Sequence, residues 1–321
     1  MNLDHGYGPS VSAEQGERVL HSALDAGYNF LDTATLYGFG RNETRVGQVL
    51  KARRSEYVLA SKCGMSGVKG HDGITRRVID GRPATLKAQC DASLQRLQTE
   101  VIDVYYLHRW DKTVPIEESV GALGDLVRAG KVRSIGLSEV SATTLKKAHA
   151  EHPIAALQTE YSLWTRNPEI AVLKACQELG VAFVAFSPVA RGYLGGLTDT
   201  AAFDAKDIRR SMGRFDAHHY PKNLALMAQL GTLARQHSCT TAQLALAWLL
   251  HQAPHIVPIP GTTHAAHLQD NLAAADIDLG AATLAALDAL YTPSAIAGQR
   301  YDAQSMSEVD TENFVNEAER M

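Results

Sequence analysis

Four residues in the N-terminal part of the chain have side chains suited to acid–base work on an oxygen atom: Asp32, Tyr37, Lys62 and His108. Asp32, Lys62 and His108 each lie at the end of a short apolar run, and Tyr37 follows Asp32 by five residues in the adjoining loop. A free phenol ionises near ~10 and is a weak acid at neutral pH. An ammonium group beside it favours the phenolate and lowers that value. A carboxylate paired with the ammonium keeps it charged and fixed in place. An imidazole near the same oxygen orients a carbonyl or shares in the proton transfer. Such a set protonates an oxygen that is gaining negative charge, which is what carbonyl reduction needs once hydride has reached carbon. Each residue alone has an ordinary structural reading: Asp32 as a helix cap, Lys62 as a solvated charge, His108 as a strand-end imidazole and Tyr37 as loop packing. Their convergence from successive strand ends favours a site.

The elements that must position them follow from the apolar pattern. Seven runs, 29–34, 57–62, 101–108, 133–138, 154–160, 181–187 and 255–260, read as strands. They are apolar on both faces where they are most strand-like, which suits a parallel sheet covered on both sides. Helical patterns at 13–27, 83–97, 115–131, 141–150, 168–180 and 240–252 lie between them. Gly27 suits the position just past the first helix, and Pro83 is tolerated at a first helical position. This alternation argues for right-handed βαβ units. In an α/β barrel the chemistry sits at the C-terminal strand ends. The remaining ends add Ser138 with Glu139, Gln158 with Glu160, Phe186 with Ser187, and the stretch from Ile259 to Thr262. No linker divides the chain, so residues 1–321 read as one domain. Residues 188–220 lack a regular pattern, and a loop of about 30 residues inside a compact domain is usually functional. The charged stretch 204–214 suits a mobile segment better than a core one, and the irregular stretch after Leu290 is placed to cover one end of the domain.

Composition narrows the function classes. The formal charge is 31 − 35 = −4 over 321 residues, which excludes a generic basic nucleic-acid binder. Apolar residues at 45% and charged residues at 21% are ordinary for a folded domain. The four cysteines, Cys63, Cys90, Cys176 and Cys239, are scattered and make no disulfide framework. They read as buried thiols of a reducing compartment, with Cys63 alternating away from the Lys62 face. The N-terminus has neither the basic nor the apolar region of a secretory signal, and no apolar run approaches a membrane span. A cytoplasmic protein without a membrane or nucleic-acid partner is the expectation. His264 and His267 have an i, i+3 spacing, but no third ligand is placed nearby, and His218–His219 reads as loop surface. No metal site is expected.

The chemistry-bearing residues lie in blocks that resemble the aldo-keto reductase superfamily. GYNFLDTATLYGFGRNETRVGQVL (27–50) is similar to the family's D-T-A-x-x-Y-G region, LASKCG (59–64) carries its lysine, and VIDVYYLHRWD (101–111) its histidine. The blocks GLSEVS, LQTEYSLWTR, VAFSPVARGYLGG and IPGTTHAAHLQDN follow in order, so the resemblance spans about residues 3–305. It implies a (β/α)8 TIM barrel that reduces aldehydes and ketones with NADPH, NADH being the alternative cofactor. Tyr37 would be the proton donor, Lys62 and Asp32 would set its acidity, and His108 would orient the substrate. Ser138 and Gln158 would hold the nicotinamide carboxamide, with Phe186 stacked on the ring. Ser187, Arg191 and Leu194 would lie along the cofactor, making the 188–220 loop a candidate clamp. Gly261 and Thr262 would meet the adenine-side phosphates at a helix N-terminus, and Asp270 and Asn271 the adenine. His264 and His267 stand where many relatives place an arginine on the 2′-phosphate, and Glu139 stands where many have Asn. The segment MNLDHGYG resembles the loop after the family's first strand, so either the given start falls late or the barrel lacks its N-terminal hairpin and first strand, which would leave two unpaired edges. The substrate pocket would draw on Arg109, Trp110, Trp164 and Tyr301, and its aromatic rings suggest a wall for apolar aldehydes. Two other readings stand beside this one: a Schiff-base lyase or isomerase using Lys62, and a non-catalytic cofactor-sensing subunit like the potassium-channel β subunits.

Overall fold

The computed structural model describes residues 3–4, 6–200 and 203–315. The first helix, α1 (Ala13–Asp25), starts where the Ser12 side chain accepts from the Gln15 amide, and it buries the stripe Val19, Leu20, Ala23 and Leu24. Strand β1 (Phe30–Asp32) follows, then α2 (Arg41–Leu50) and β2 (Val58–Cys63). A hairpin, β3 (Met65–Lys69) and β4 (Thr75–Ile79), precedes α3 (Pro83–Leu97). The alternation then runs β5 (Ile102–Leu107), α4 (Ile116–Arg128), β6 (Val132–Ser138), α5 (Ala142–Glu151), β7 (Ile154–Glu160), α6 (Val172–Leu179) and β8 (Ala182–Phe186). After a long loop come α7 (Tyr220–Gln236), α8 (Thr241–Leu250), β9 (Ile256–Ile259), α9 (Ala265–Ala273), α10 (Ala281–Leu290) and the short α11 (Ala303–Ser307).

Seven strands form one parallel sheet in the order β1-β2-β5-β6-β7-β8-β9, curled into a nearly closed barrel with helices outside. All seven are the strands expected from the apolar runs. Among the described residues β1 and β9 are the two sheet edges, and no strand bridges them.

The register decides which residues share the interior. Ala60, Tyr106, Ala156 and Val184 form a small inner cluster. Side chains alternate along a strand, so the residue two positions further on faces the same way. That step leads from Ala60 to Lys62, from Tyr106 to His108, from Ala156 to Gln158 and from Val184 to Phe186. Phe30 packs on the same cluster, which puts Asp32 on the inner face as well. The large core lies outside the barrel, between strands and helices. There Cys63 and Cys90 are buried, and burial pushes the Cys90 thiol up to about 12 and Cys63 higher still.

Two glycines set close approaches. A Cβ on Gly47 of α2 would lie 2.4 Å from the Arg96 carbonyl oxygen and 2.5 Å from the Leu97 carbonyl carbon, so α2 seats directly on the end of α3. Gly298 has φ +85°, and a Cβ there would lie 2.6 Å from the Gly213 backbone. That crossing brings the C-terminal segment back over the strand ends.

The structure departs from expectation in the 188–220 loop. Short 3-10 turns occupy 190–192, 208–211 and 213–215. The charged stretch is not a loose surface segment: Asp207 and Arg214 are buried, and Arg214 donates to the Trp164 carbonyl at 2.6 Å and to the Thr165 hydroxyl at 2.8 Å. Charge favours exposure only until a fixed set of acceptors compensates for lost water. Among the described residues no helix is long and apolar enough to cross a membrane, and no cluster of three or more metal-ligating side chains exists.

Candidate active site

The strand ends bring the four acid–base residues together. Lys62, at the end of β2, has a fully buried side chain. Its Nζ donates to Asp32 Oδ1 at 2.5 Å, to the Thr33 carbonyl at 2.8 Å and to the Tyr37 hydroxyl at 3.4 Å. The ammonium also lies 4.9 Å from the centre of the Tyr37 ring. Burial alone would depress the lysine, but the Asp32 carboxylate and Tyr37 outweigh it, and its net direction is upward. Lys62 is therefore a fixed cation. His108 meets Tyr37 edge to face, with ring centres 5.9 Å apart. Gln158 donates from Nε2 to Asp32 Oδ2 at 2.8 Å, tying β7 to β1 across the barrel interior.

The acidity of Tyr37 departs from the simple expectation. Burial pushes the phenol above its ordinary value; Lys62 pulls it down, Asp32 adds to the rise, and the net direction is upward. The ammonium restrains the effect of burial without reversing it, so Tyr37 is a proton-bearing phenol at neutral pH.

A second layer of charge lies beside this set, and the carboxylates in it had no role assigned from sequence. Glu139 follows β6 with φ 56°, a left-handed backbone that only local constraint makes a non-glycine residue adopt. Its carboxylate accepts from the Glu160 amide at 2.9 Å and pairs with Arg300. Glu160 pairs with Arg191 at 2.8 Å, with Arg300 at 3.4 Å, and accepts from the Tyr301 hydroxyl at 3.1 Å. Arg191 also donates to Tyr7 at 3.1 Å and to Tyr301 at 3.0 Å, and its guanidinium lies 5.9 Å from the Phe186 ring centre. The network fastens the C-terminal segment and the N-terminal segment to the mouth of the barrel. The visible signal in the sequence was a carboxylate at two strand ends and an Arg-Tyr pair after the last long helix. What it lacked was the pairing, which joins residues 161 positions apart.

The other residues singled out from sequence occupy distinct places. Ser138 accepts from Arg109 at 3.2 Å. Ser187, Ala190 and Arg191 all have left-handed backbones within one short turn, whereas Leu194 is fully buried in the core. Gly261 and Thr262 precede α9; a Cβ on Gly261 would meet nothing within 4 Å, and Thr262 Oγ1 accepts from the His264 amide at 3.0 Å. His264 and His267 are exposed with ring centres 5.2 Å apart. Asp270 and Asn271 lie on the same helix. Trp110 donates to the Val114 carbonyl at 2.9 Å. Trp164 is buried, stacked on Tyr193 at 4.1 Å between ring centres, so most of its surface faces protein.

A buried acid–base set at the C-terminal ends of parallel strands defines an α/β-barrel enzyme. The chain belongs to the aldo/keto reductase family, whose model matches residues 1–292. It is 39% identical over 302 residues to a probable aldo-keto reductase of Glycine max, covering 94% of this chain and 86% of that one. It is 42% identical over 300 residues to an aldo-keto reductase of Strobilurus tenacellus, covering 92% and 86%. Among solved structures, a glycerol dehydrogenase from Gluconobacter oxydans superposes with a TM-score of 0.80 at 28% identity, covering 90% of this chain and 89% of that one. An aldo-keto reductase from Klebsiella pneumoniae in complex with NADPH gives a TM-score of 0.68 at 29% identity, covering 88% and 86%.

Proposed function

We propose that this chain reduces the carbonyl groups of aldehydes and ketones to alcohols, with NADPH as reductant and Tyr37 as proton donor. The observation that carries the reading is the Lys62 ammonium, fixed between Asp32 and the Thr33 carbonyl with the Tyr37 hydroxyl 3.4 Å away. NADPH is favoured because a Klebsiella relative was crystallised with it.

The residues present suit such a cofactor. Ser138 offers a hydroxyl and Gln158 an amide, the two functions a carboxamide needs, and Phe186 supplies an incompletely buried ring beside them. The open ground at Gly261 adjoins the N-terminus of α9, whose dipole suits a phosphate. When bound, the dihydronicotinamide supplies the hydride that the carbonyl carbon takes up. The chain supplies the proton. Tyr37 gives it to the carbonyl oxygen, Lys62 stabilises the phenolate left behind, and Asp32 holds Lys62 in position. His108 orients the carbonyl oxygen towards the phenol.

The Schiff-base alternative needs a neutral amine, and a lysine paired with a carboxylate at 2.5 Å is held charged. The decisive variant is Tyr37→Phe. Loss of a positioned general acid lowers kcat by about 10²–10⁴-fold, while NADPH affinity, followed by quenching of protein fluorescence, stays unchanged. Full activity in this variant removes Tyr37 from the role. Wild-type protein that binds NADPH but turns over no carbonyl favours the sensing-subunit reading.

A further inference from the structure

The charges around the site do not balance. Lys62, Arg109, Arg191 and Arg300 face Asp32, Glu139 and Glu160, four cations against three carboxylates. Lys62 takes Asp32, Arg191 takes Glu160, and Arg300 takes Glu139 with a longer contact to Glu160. Arg109 is left over. Among the described residues no carboxylate lies within ion-pair distance of it, and the nearby Glu308 is already paired with Arg77.

Arg109 is also held as a binding group would be. One guanidinium nitrogen donates to the His108 carbonyl at 2.7 Å and to the Ser138 hydroxyl at 3.2 Å, which fixes the side chain between β5 and β6. Its remaining N–H groups have no acceptor among the described residues, and the side chain keeps partial access to solvent. Its charge reaches both Tyr37 and Tyr301. A guanidinium left partly desolvated without an acid gains most from an oxyanion that arrives with a ligand, because its planar fork matches carboxylate and phosphate oxygens.

We infer that the pocket takes carbonyl substrates that carry a carboxylate or phosphate group, and that Arg109 is the residue that selects them. This rests on the reductase reading above. Burial, with a smaller push from Arg191, outweighs the attraction of Tyr301, Tyr37 and Glu308 and holds Arg109 below the usual guanidinium range. Arg109 thus adds a charged anchor to the aromatic pocket wall expected from the sequence.

The test compares matched substrates in the NADPH-loaded enzyme: 4-carboxybenzaldehyde and succinic semialdehyde, each against its methyl ester, and glyceraldehyde 3-phosphate against glyceraldehyde. In at least one pair the anionic member should show kcat/KM about tenfold higher or more, mainly through KM, as a uniformly used binding contact requires. Arg109→Met should bring that ratio to about one, and Arg109→Lys should recover part of it. Which pair responds distinguishes carboxylate from phosphate recognition. If every neutral partner is reduced as well as its anionic counterpart, or if Arg109→Met leaves the ratio unchanged, the inference is overturned while the reductase reading stands. If Arg109→Met weakens NADPH binding and leaves substrate selectivity alone, the cation serves the cofactor and the inference is overturned. If no aldehyde is reduced at all, the reductase reading falls and takes this one with it.

Discussion

At the scale of single residues, the proposed mechanism requires Tyr37 in its neutral form to donate a proton. Burial with Asp32 outweighs Lys62, so the phenol lies above its ordinary value. Carbonyl reduction should be level through neutral and mildly alkaline pH, and fall only as pH passes that raised value. Alcohol oxidation needs the phenolate and should climb across the same range. Steady-state rates in both directions with saturating cofactor check this. A reduction limb with its midpoint between about pH 6 and 8 points to an imidazole, and would move the proton from Tyr37 to His108. The identities of Asp32, Tyr37, Lys62 and His108 were legible because each stands at or just beyond a strand end. The upward shift of Tyr37 was not, because it depends on burial that only the folded barrel produces. Nor was the pairing of Glu139 with Arg300, since a carboxylate at a strand end does not announce which distant arginine will reach it.

At the scale of elements, apolar runs disclosed every strand of the barrel, because those strands are covered on both faces. The hairpin β3–β4 went unseen for the opposite reason: β4 is almost wholly exposed, so it carries no buried face to leave a periodic trace. The fixing of α2 is likewise a three-dimensional fact. Glu43 on α2 is fully buried, accepts from Ser61 at 2.5 Å and pairs with Arg96 of α3 at 2.6 Å. Because Ser61 adjoins Lys62, this joint holds the strand that carries the ammonium. Gly47 permits it by leaving room for the end of α3. Gly47→Ala should overpack the joint and cost about 1–3 kcal/mol, towards the upper end because the obstructing atoms are backbone. Urea unfolding should show a lowered midpoint with an unchanged slope. A midpoint equal to the wild type would mean that the two helices can separate at no cost.

At the scale of the whole molecule, Asp32 lies on an edge strand only three residues long, whereas its partners Lys62 and Gln158 lie on strands paired on both sides. The other edge, β9, has four residues and includes Pro258, which cannot donate to a ladder. Opening should therefore begin at these two edges and leave β5, β6 and β7 for last, since local unfolding free energies follow contact and pairing. Native-state hydrogen exchange should show weaker protection of amides in β1 and β9 than in β6. The contact from Gln158 to Asp32 spans the interior and opposes this fraying. Gln158→Leu removes it and leaves one oxygen of a buried carboxylate without that donor, so β1 amides should exchange faster while those of β6 change little. Equal acceleration in both strands would mean that the sheet opens as one unit. Protection of β1 and β9 as strong as that of β6 in the wild type would mean that both edges are covered in solution, and the acid–base set would then rest on a closed ring of strands.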